Sequence, residues 1–298
     1  MDLFKKRTNL AQNIAFMAIM AAINVLFVLL TTFVPFLLFL LVFILPLSCT
    51  LVVLLCEKKY FPIYAFATVG LCLIVTLHNI GDTLFYIIPS IITGFVFAIC
   101  IERKLPYTLS IILSSFVQFG LSYALLPLVK LITQVDLLES FSKLAGIIDN
   151  PYLVEIQITA VFLVSFMQEI ISYLFIKLGL KKLNFTIIEN KYSIEISLVG
   201  LLVNLLLTLL FVFVYSPISF VFFITSLYFA FFVVIWVITT IDSKWNYIIL
   251  VLWTFGFIFL FAWAYKSIQK PFGILFIEVY LYGVGIIGFI NNCLVKRK

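Results

Sequence analysis

Residues 10–30 read LAQNIAFMAIMAAINVLFVLL, a run with no charged residue that is long enough as a helix to cross the hydrocarbon of a bilayer. Within it Ala11, Ala15, Ala18 and Ala22 recur at steps of 4, 3 and 4. On a helix that spacing places them in one narrow stripe. In a bilayer, association is driven by close packing, and a stripe of small residues lets a second helix approach. Two readings follow. Either the stripe packs within its own fold, alanine being a good helix former, or it is a docking face for a partner.

The remainder of the chain belongs to the same physical class. With 65% hydrophobic residues, 11% charged residues, 34 phenylalanines and a mean hydropathy of +1.27, it lies far from the composition of a soluble domain. Irregular backbone cannot face lipid, and the alternating segments of a membrane barrel are missing from the sequence. The expected fold is all-α and polytopic. Ten segments can be drawn, at 10–30, 33–55, 60–77, 83–101, 105–132, 153–176, 195–215, 218–240, 245–265 and 272–294. The first follows Lys5, Lys6 and Arg7 as a signal peptide would, but Thr31-Thr32-Phe33-Val34-Pro35 offers no small-residue cleavage site, so a retained helix is expected.

Charge then orients the chain. With the N-terminus in the cytoplasm, 15 of the 19 basic residues fall inside, and only Lys130, Lys143, Lys266 and Lys270 lie outside. This positive-inside bias predicts an even number of spans with both termini cytoplasmic, and it explains a formal charge of +6 without a nucleic-acid partner. The connection from Thr133 to Tyr152 is the longest external loop. Lys177, Lys181 and Lys182 begin a cytoplasmic stretch suited to anionic headgroups. A boundary near Leu183 separates a six-helix part, residues 1–183, from a four-helix extension, residues 184–298. No internal repeat is evident.

The basic N-terminus, the run from Ala15 to Ala22, Val34-Pro35-Phe36 after the first segment and Leu45-Pro46-Leu47 within the second resemble one known pattern. It is that of the substrate-capture subunits, or S components, of energy-coupling factor transporters, which import vitamins and similar micronutrients into bacteria. The resemblance covers residues 1 to about 183. The four further helices make the whole chain more similar to the YybS-like membrane proteins related to S components. The resemblance implies a bacterial plasma-membrane protein that captures a small organic ligand and docks an energy-coupling transmembrane subunit with its ATPases. It assigns the docking face to Ala11, Ala15, Ala18 and Ala22. It also implies a ligand near the outer surface, under the loops after helices one, three and five. The polar residues there are Thr31, Thr32, His78, Asn79, Asp82, Gln134 and Asp136.

Polar side chains inside the hydrophobic segments are informative because an ionised group at the centre of a helix costs roughly 2.5–3.5 kcal/mol on insertion scales. Ser114, Gln118 and Ser122 step by four along the fifth segment and make one polar face, with Gln118 and Ser122 in its outer half. With Tyr86 and Tyr123 nearby, these suit a small uncharged ring. Glu155 and Thr159 lie one turn apart near the outer end of the sixth segment and either bind ligand or reach the headgroups. Deeper on that helix Ser165, Gln168, Glu169 and Ser172 form a cluster, either a hydrogen-bond knot between helices or a proton-linked site. Glu278, about six residues or roughly 9 Å into the last segment, has only Tyr282 one turn on.

Several chemistries lack their residues. The five cysteines form no C-x-x-C pair, His78 is the only histidine, and there is no phosphate-binding glycine loop or nucleophile–base constellation. Neither an enzyme, nor a metal site, nor a cofactor is expected. Three functions stay open: capture for a separate ATPase module, a secondary transporter coupled to protons through Glu169 or Glu278, and a non-transporting scaffold that binds a helix through the alanine stripe.

Overall fold

Asn9 starts the first helix by accepting the Ala11 backbone N–H on its side-chain oxygen at 3.1 Å. The helix then runs uninterrupted through the alanine-rich stretch. The computed structural model describes residues 6–34, 37–77, 80–146, 148, 152–183, 194–240, 252–253, 256 and 272–296. Every regular element among them is helical: α1 (Leu10–Phe33), α2 (Leu38–Leu55), α3 (Phe61–Val75), α4 (Ile80–Asp82), α5 (Ile88–Glu102), α6 (Tyr107–Thr133), α7 (Leu137–Leu144), α8 (Leu153–Lys182), α9 (Ile194–Val214), α10 (Ser216–Thr240) and α11 (Phe272–Lys296).

Seven stretches among the described residues are long and apolar enough to cross a membrane: Leu10–Thr31, Lys58–Val75, Leu84–Glu102, Tyr107–Thr133, Leu153–Lys182, Ile194–Val214 and Ser216–Ile238. The protein is a multi-pass, all-helical membrane protein. The apolar helix Phe43–Leu55 is shorter. Of the expected segment at 245–265, only Leu252, Trp253 and Gly256 lie within the described residues.

Two features depart from the sequence expectation. The connection expected to be external holds a helix, α7, because Asp136 caps it by accepting the Glu139 N–H at 3.0 Å. The segment expected to start at Thr83 opens instead as α4, followed by one π-helical stretch, Thr83–Ile87. Pro89 sits in the first turn of α5, where its missing N–H breaks the ladder to the residues before it.

The chain divides into two units, Met1–Asp149 with Ala160–Lys191, and Asn150–Thr159 with Tyr192–Lys298. In the first, a buried polar network fixes α1 to its neighbours. Asn24 donates to the Tyr64 hydroxyl on α3 at 2.8 Å and accepts from Ser48 on α2 at 2.7 Å. At the other end Asn13 accepts the Glu57 N–H at 3.1 Å, and the Arg7 guanidinium lies over the Phe16 ring at 3.8 Å.

Helices α2 and α5 cross closely at Gly94, where an added Cβ would stand 2.6 Å from Cys49 Cβ and 2.7 Å from the Pro46 carbonyl oxygen. Thr50 Oγ1 bridges this crossing, 2.7 Å from Pro46 O and 2.9 Å from Gly94 O. Small residues at a crossing let backbones meet, as packing in a bilayer favours. In the second unit α9 and α10 pair as an antiparallel hairpin, with Phe211 stacked on Phe222 at 5.2 Å and Gly200 seated against the Phe229 ring. Helix α11 packs on α9, Gly285 facing Leu201 and Gly288 facing Leu198.

Candidate functional site

The network just described decides which way α1 faces. Asn13, Met17, Asn24 and Val28 are buried and share one side of the helix. Ala11, Ala15, Ala18 and Ala22 lie on the opposite side, and all four are exposed. The stripe is therefore not consumed by packing among the described residues. Ile14, Ile19 and Leu26 flank it and are also exposed, so the whole face is apolar.

A second constellation lies in the interior of the first unit, between α5, α6 and the part of α8 beyond residue 160. Gln168 Nε2 donates to Ser90 Oγ on α5 at 3.3 Å, and Phe97 of α5 rests against Tyr173 of α8 at 5.9 Å. Phe116 and Phe119 of α6 pack on Phe162 at 5.5 and 5.6 Å, and Tyr107 stacks on Tyr173 at 6.4 Å. These pairs set α5 parallel and α6 antiparallel to α8, which places Glu169 inside the group. Its relative exposure is 0%, and neither carboxylate oxygen has a hydrogen-bond partner among the described residues. Thr93 faces it from α5 while donating its own hydrogen to Ser90 O at 3.2 Å. Ser114 Oγ, Gln118 Oε1 and Ser172 Oγ are likewise buried without partners, whereas Ser165 bonds back to Val161 O at 2.8 Å. The cluster at Ser165, Gln168, Glu169 and Ser172 is thus buried in protein, and its hydrogen bonding is incomplete.

The residues expected around an outer ligand are dispersed. Gln118 and Ser122 are buried on the inner side of α6. Thr31 is half-buried and donates to Val28 O of its own helix at 2.7 Å. Gln134 is exposed and ends α6 in the left-handed region at φ 58°. Glu155 and Thr159 are half-buried and belong to the second unit, with Thr159 Oγ1 buried and unpartnered. His78 and Asn79 lie outside the described residues, as do the side chains of Thr32 and Asp82. Tyr123 is exposed and packs on Phe119 at 6.0 Å, and Tyr86 meets Phe85 edge-on at 5.0 Å.

Asp136 is engaged structurally. Besides capping α7 it accepts from Lys130 Nζ at 2.7 Å. The Lys130 ammonium, then the Glu139 backbone N–H, hold its carboxyl below the usual carboxylate range. On α7 itself Lys143 pairs with Glu139 one turn away at 2.7 Å.

Glu278 occupies a comparable position in the second unit. It is 1% exposed, and its Oε1 has no partner among the described residues. Thr208 of α9 and Tyr282 of its own helix face it. The Thr208 hydroxyl donates to Asn204 O at 2.8 Å, and Asn204 in turn donates to Gly200 O at 2.7 Å. Deeper along the same two helices an apolar cleft of about 360 Å³ opens between Leu201, Leu205, Gly285 and Phe289. No ion pair among the described residues involves either Glu169 or Glu278.

Comparison with protein-family models, curated proteins and solved structures finds no match to this chain. The site residues are accordingly read on their own chemistry. Sequence reasoning passed over Ser90 and Thr93, which supply the α5 side of the interior cluster, and Asn24, Ser48 and Tyr64, which orient α1. An asparagine within an apolar helix was the available signal for Asn24. For Ser90 and Thr93 there was none, since hydroxyls in apolar helices commonly bond to their own preceding turn.

Proposed function

We propose that this protein is an S-component-like capture protein of a bacterial plasma membrane. Its first unit takes up a small organic micronutrient at the outer face, and α1 docks a membrane-embedded coupling subunit energised by separate ATPases. The observation that carries the reading is the exposure of Ala11, Ala15, Ala18 and Ala22 on the side of α1 opposite its buried face. Small exposed residues give a second helix the closest approach available in a bilayer. The buried polar face of α6 at Gln118 and Ser122 supports a ligand reached from the outer half of that helix. Both termini are cytoplasmic in this reading, in keeping with the distribution of basic residues.

Native mass spectrometry of the gently solubilised protein from its own host tests this directly. The expected spectrum contains the chain with a membrane-embedded partner, ATPase subunits and a small organic molecule. A chain that arrives alone and empty overturns the reading.

A secondary transporter is the second reading, and it rests on the two fully buried carboxylates, Glu169 and Glu278. Groups of this kind inside a membrane domain mark ion or proton pathways. Partner-free liposomes should then accumulate solute under a pH gradient, with Glu169→Gln or Glu278→Gln abolishing it. Absence of movement under any gradient removes this reading.

A further inference from the structure

Glu169 poses a problem of charge and of hydrogen bonding together. Among the described residues its two buried carboxylate oxygens have no hydrogen bond of good geometry, Thr93 being a weak contact, and no ion pair reaches them. An ionised carboxylate left so would be among the most costly groups in the fold. Two hydroxyl oxygens belong to its surroundings. Ser172 Oγ, three residues on and on the same helical face, is buried and unpartnered, and Thr93 Oγ1 faces the carboxylate from α5.

We propose that Glu169 and Ser172 of α8, with Thr93 of α5, hold an alkali-metal cation in the interior of the first unit. Oxygen donors select hard cations over the softer transition metals. One carboxylate balances one positive charge, so a monovalent ion leaves the site neutral, whereas a divalent ion would bury an excess charge. A proton would neutralise the carboxylate and serve one oxygen, leaving the hydroxyls to serve the other. A cation is coordinated by several at once.

The arrangement also supplies an approach. Helix α6 runs antiparallel to α8, so Ser122, Gln118 and Ser114 step along α6 toward the level of Glu169. Ser114 Oγ and Gln118 Oε1 are themselves without a hydrogen-bond partner among the described residues. The titratable groups on the elements packed here are Cys49 of α2, Cys100 and Glu102 of α5, Tyr107, Tyr123 and Lys130 of α6, and Glu155, Tyr173, Lys177, Lys181 and Lys182 of α8, the charged ones lying toward the helix ends. The nearest cationic residue on α8 is Lys177, two turns on. The inference does not depend on the capture reading. For the carrier reading it supplies a coupling ion other than the proton.

Thermal unfolding of the full-length protein in nanodiscs provides the test, in choline chloride replaced stepwise by sodium or potassium chloride at constant ionic strength and pH. A saturable rise of several degrees in midpoint is expected with one or both alkali ions, since a ligand that binds only the folded state stabilises it. Glu169→Gln should abolish the rise, and Glu278→Gln should keep it. Ser172→Ala should move the half-effect concentration upward by roughly tenfold, because removing an oxygen ligand weakens a hard-cation site. Equal midpoints in choline and alkali salts overturn the proposal, as does a rise that survives in Glu169→Gln. A midpoint that responds to acidification alone also overturns it. Should Glu169→Gln fail to fold, Thr93→Ala and Ser172→Ala carry the test, and an unchanged half-effect concentration in both is a refutation.

Discussion

Small residues serve two different ends in the first unit. At Gly94 the missing side chain is already used, because α2 lies so close that a Cβ would meet Cys49 and the Pro46 carbonyl. Along α1 the alanines at 11, 15, 18 and 22 face outward, with the helix held by polar bonds on its other side. Both places offer close approach to a helix. One is occupied by the chain's own α2, the other is uncovered by the described residues. The difference teaches that a small-residue stripe acquires meaning from the opposite face of its helix, which determines whether the stripe points inward.

If the α2–α5 crossing is as tight as the geometry states, Gly94→Ala should lower stability by about 2–3 kcal/mol, since the obstruction is backbone and cannot swing aside. Denaturant unfolding in detergent would measure it, and a neutral result would place Gly94 and the alanines in the same class. Asn24→Leu attacks the other half of the comparison. It strips Ser48 and Tyr64 of their buried partner and should cost about 1–2 kcal/mol, moderated by the weak net value of hydrogen bonds between membrane helices. The same titration checks it, and no change would mean that the polar face does not orient α1.

Outside the helical core the effects should shrink. Asp136→Ala removes the α7 cap and an exposed ion pair, and a loss of no more than about 1 kcal/mol is expected. The sign with pH is definite. The folded carboxyl titrates below its ordinary value, so its contribution is complete above the unfolded pKa of about 4 and is lost as pH falls through the lower folded value. Comparing wild type with Asp136→Ala across pH 6 to about 2 should therefore show the two stabilities converging in acid. Divergence in acid would contradict the assignment.

How much of this was legible beforehand follows the same physics. The apolar runs announced a helical membrane protein because hydrocarbon thickness fixes their length, and seven described helices meet that length. The alanine period could be read, but not its direction, which depends on Asn24 finding Ser48 and Tyr64 at sequence separations of 24 and 40. The cluster around Glu169 was visible as i−4 and i+3 polar neighbours on one helix. Its α5 side was not, because Ser90 and Thr93 look like any hydroxyls in an apolar run. Helix α7 escaped notice because eight amphipathic residues give too short a period, and Asp136 read as a ligand candidate rather than a cap.

Replacing Ala18 and Ala22 together by leucine bears most directly on the docking face. Both positions are exposed, so stability should stay within about 0.5 kcal/mol of wild type. Co-purification of the membrane partner from host membranes should be lost while any bound small molecule is retained. Equal recovery of the partner by wild type and the double variant would contradict docking through this face.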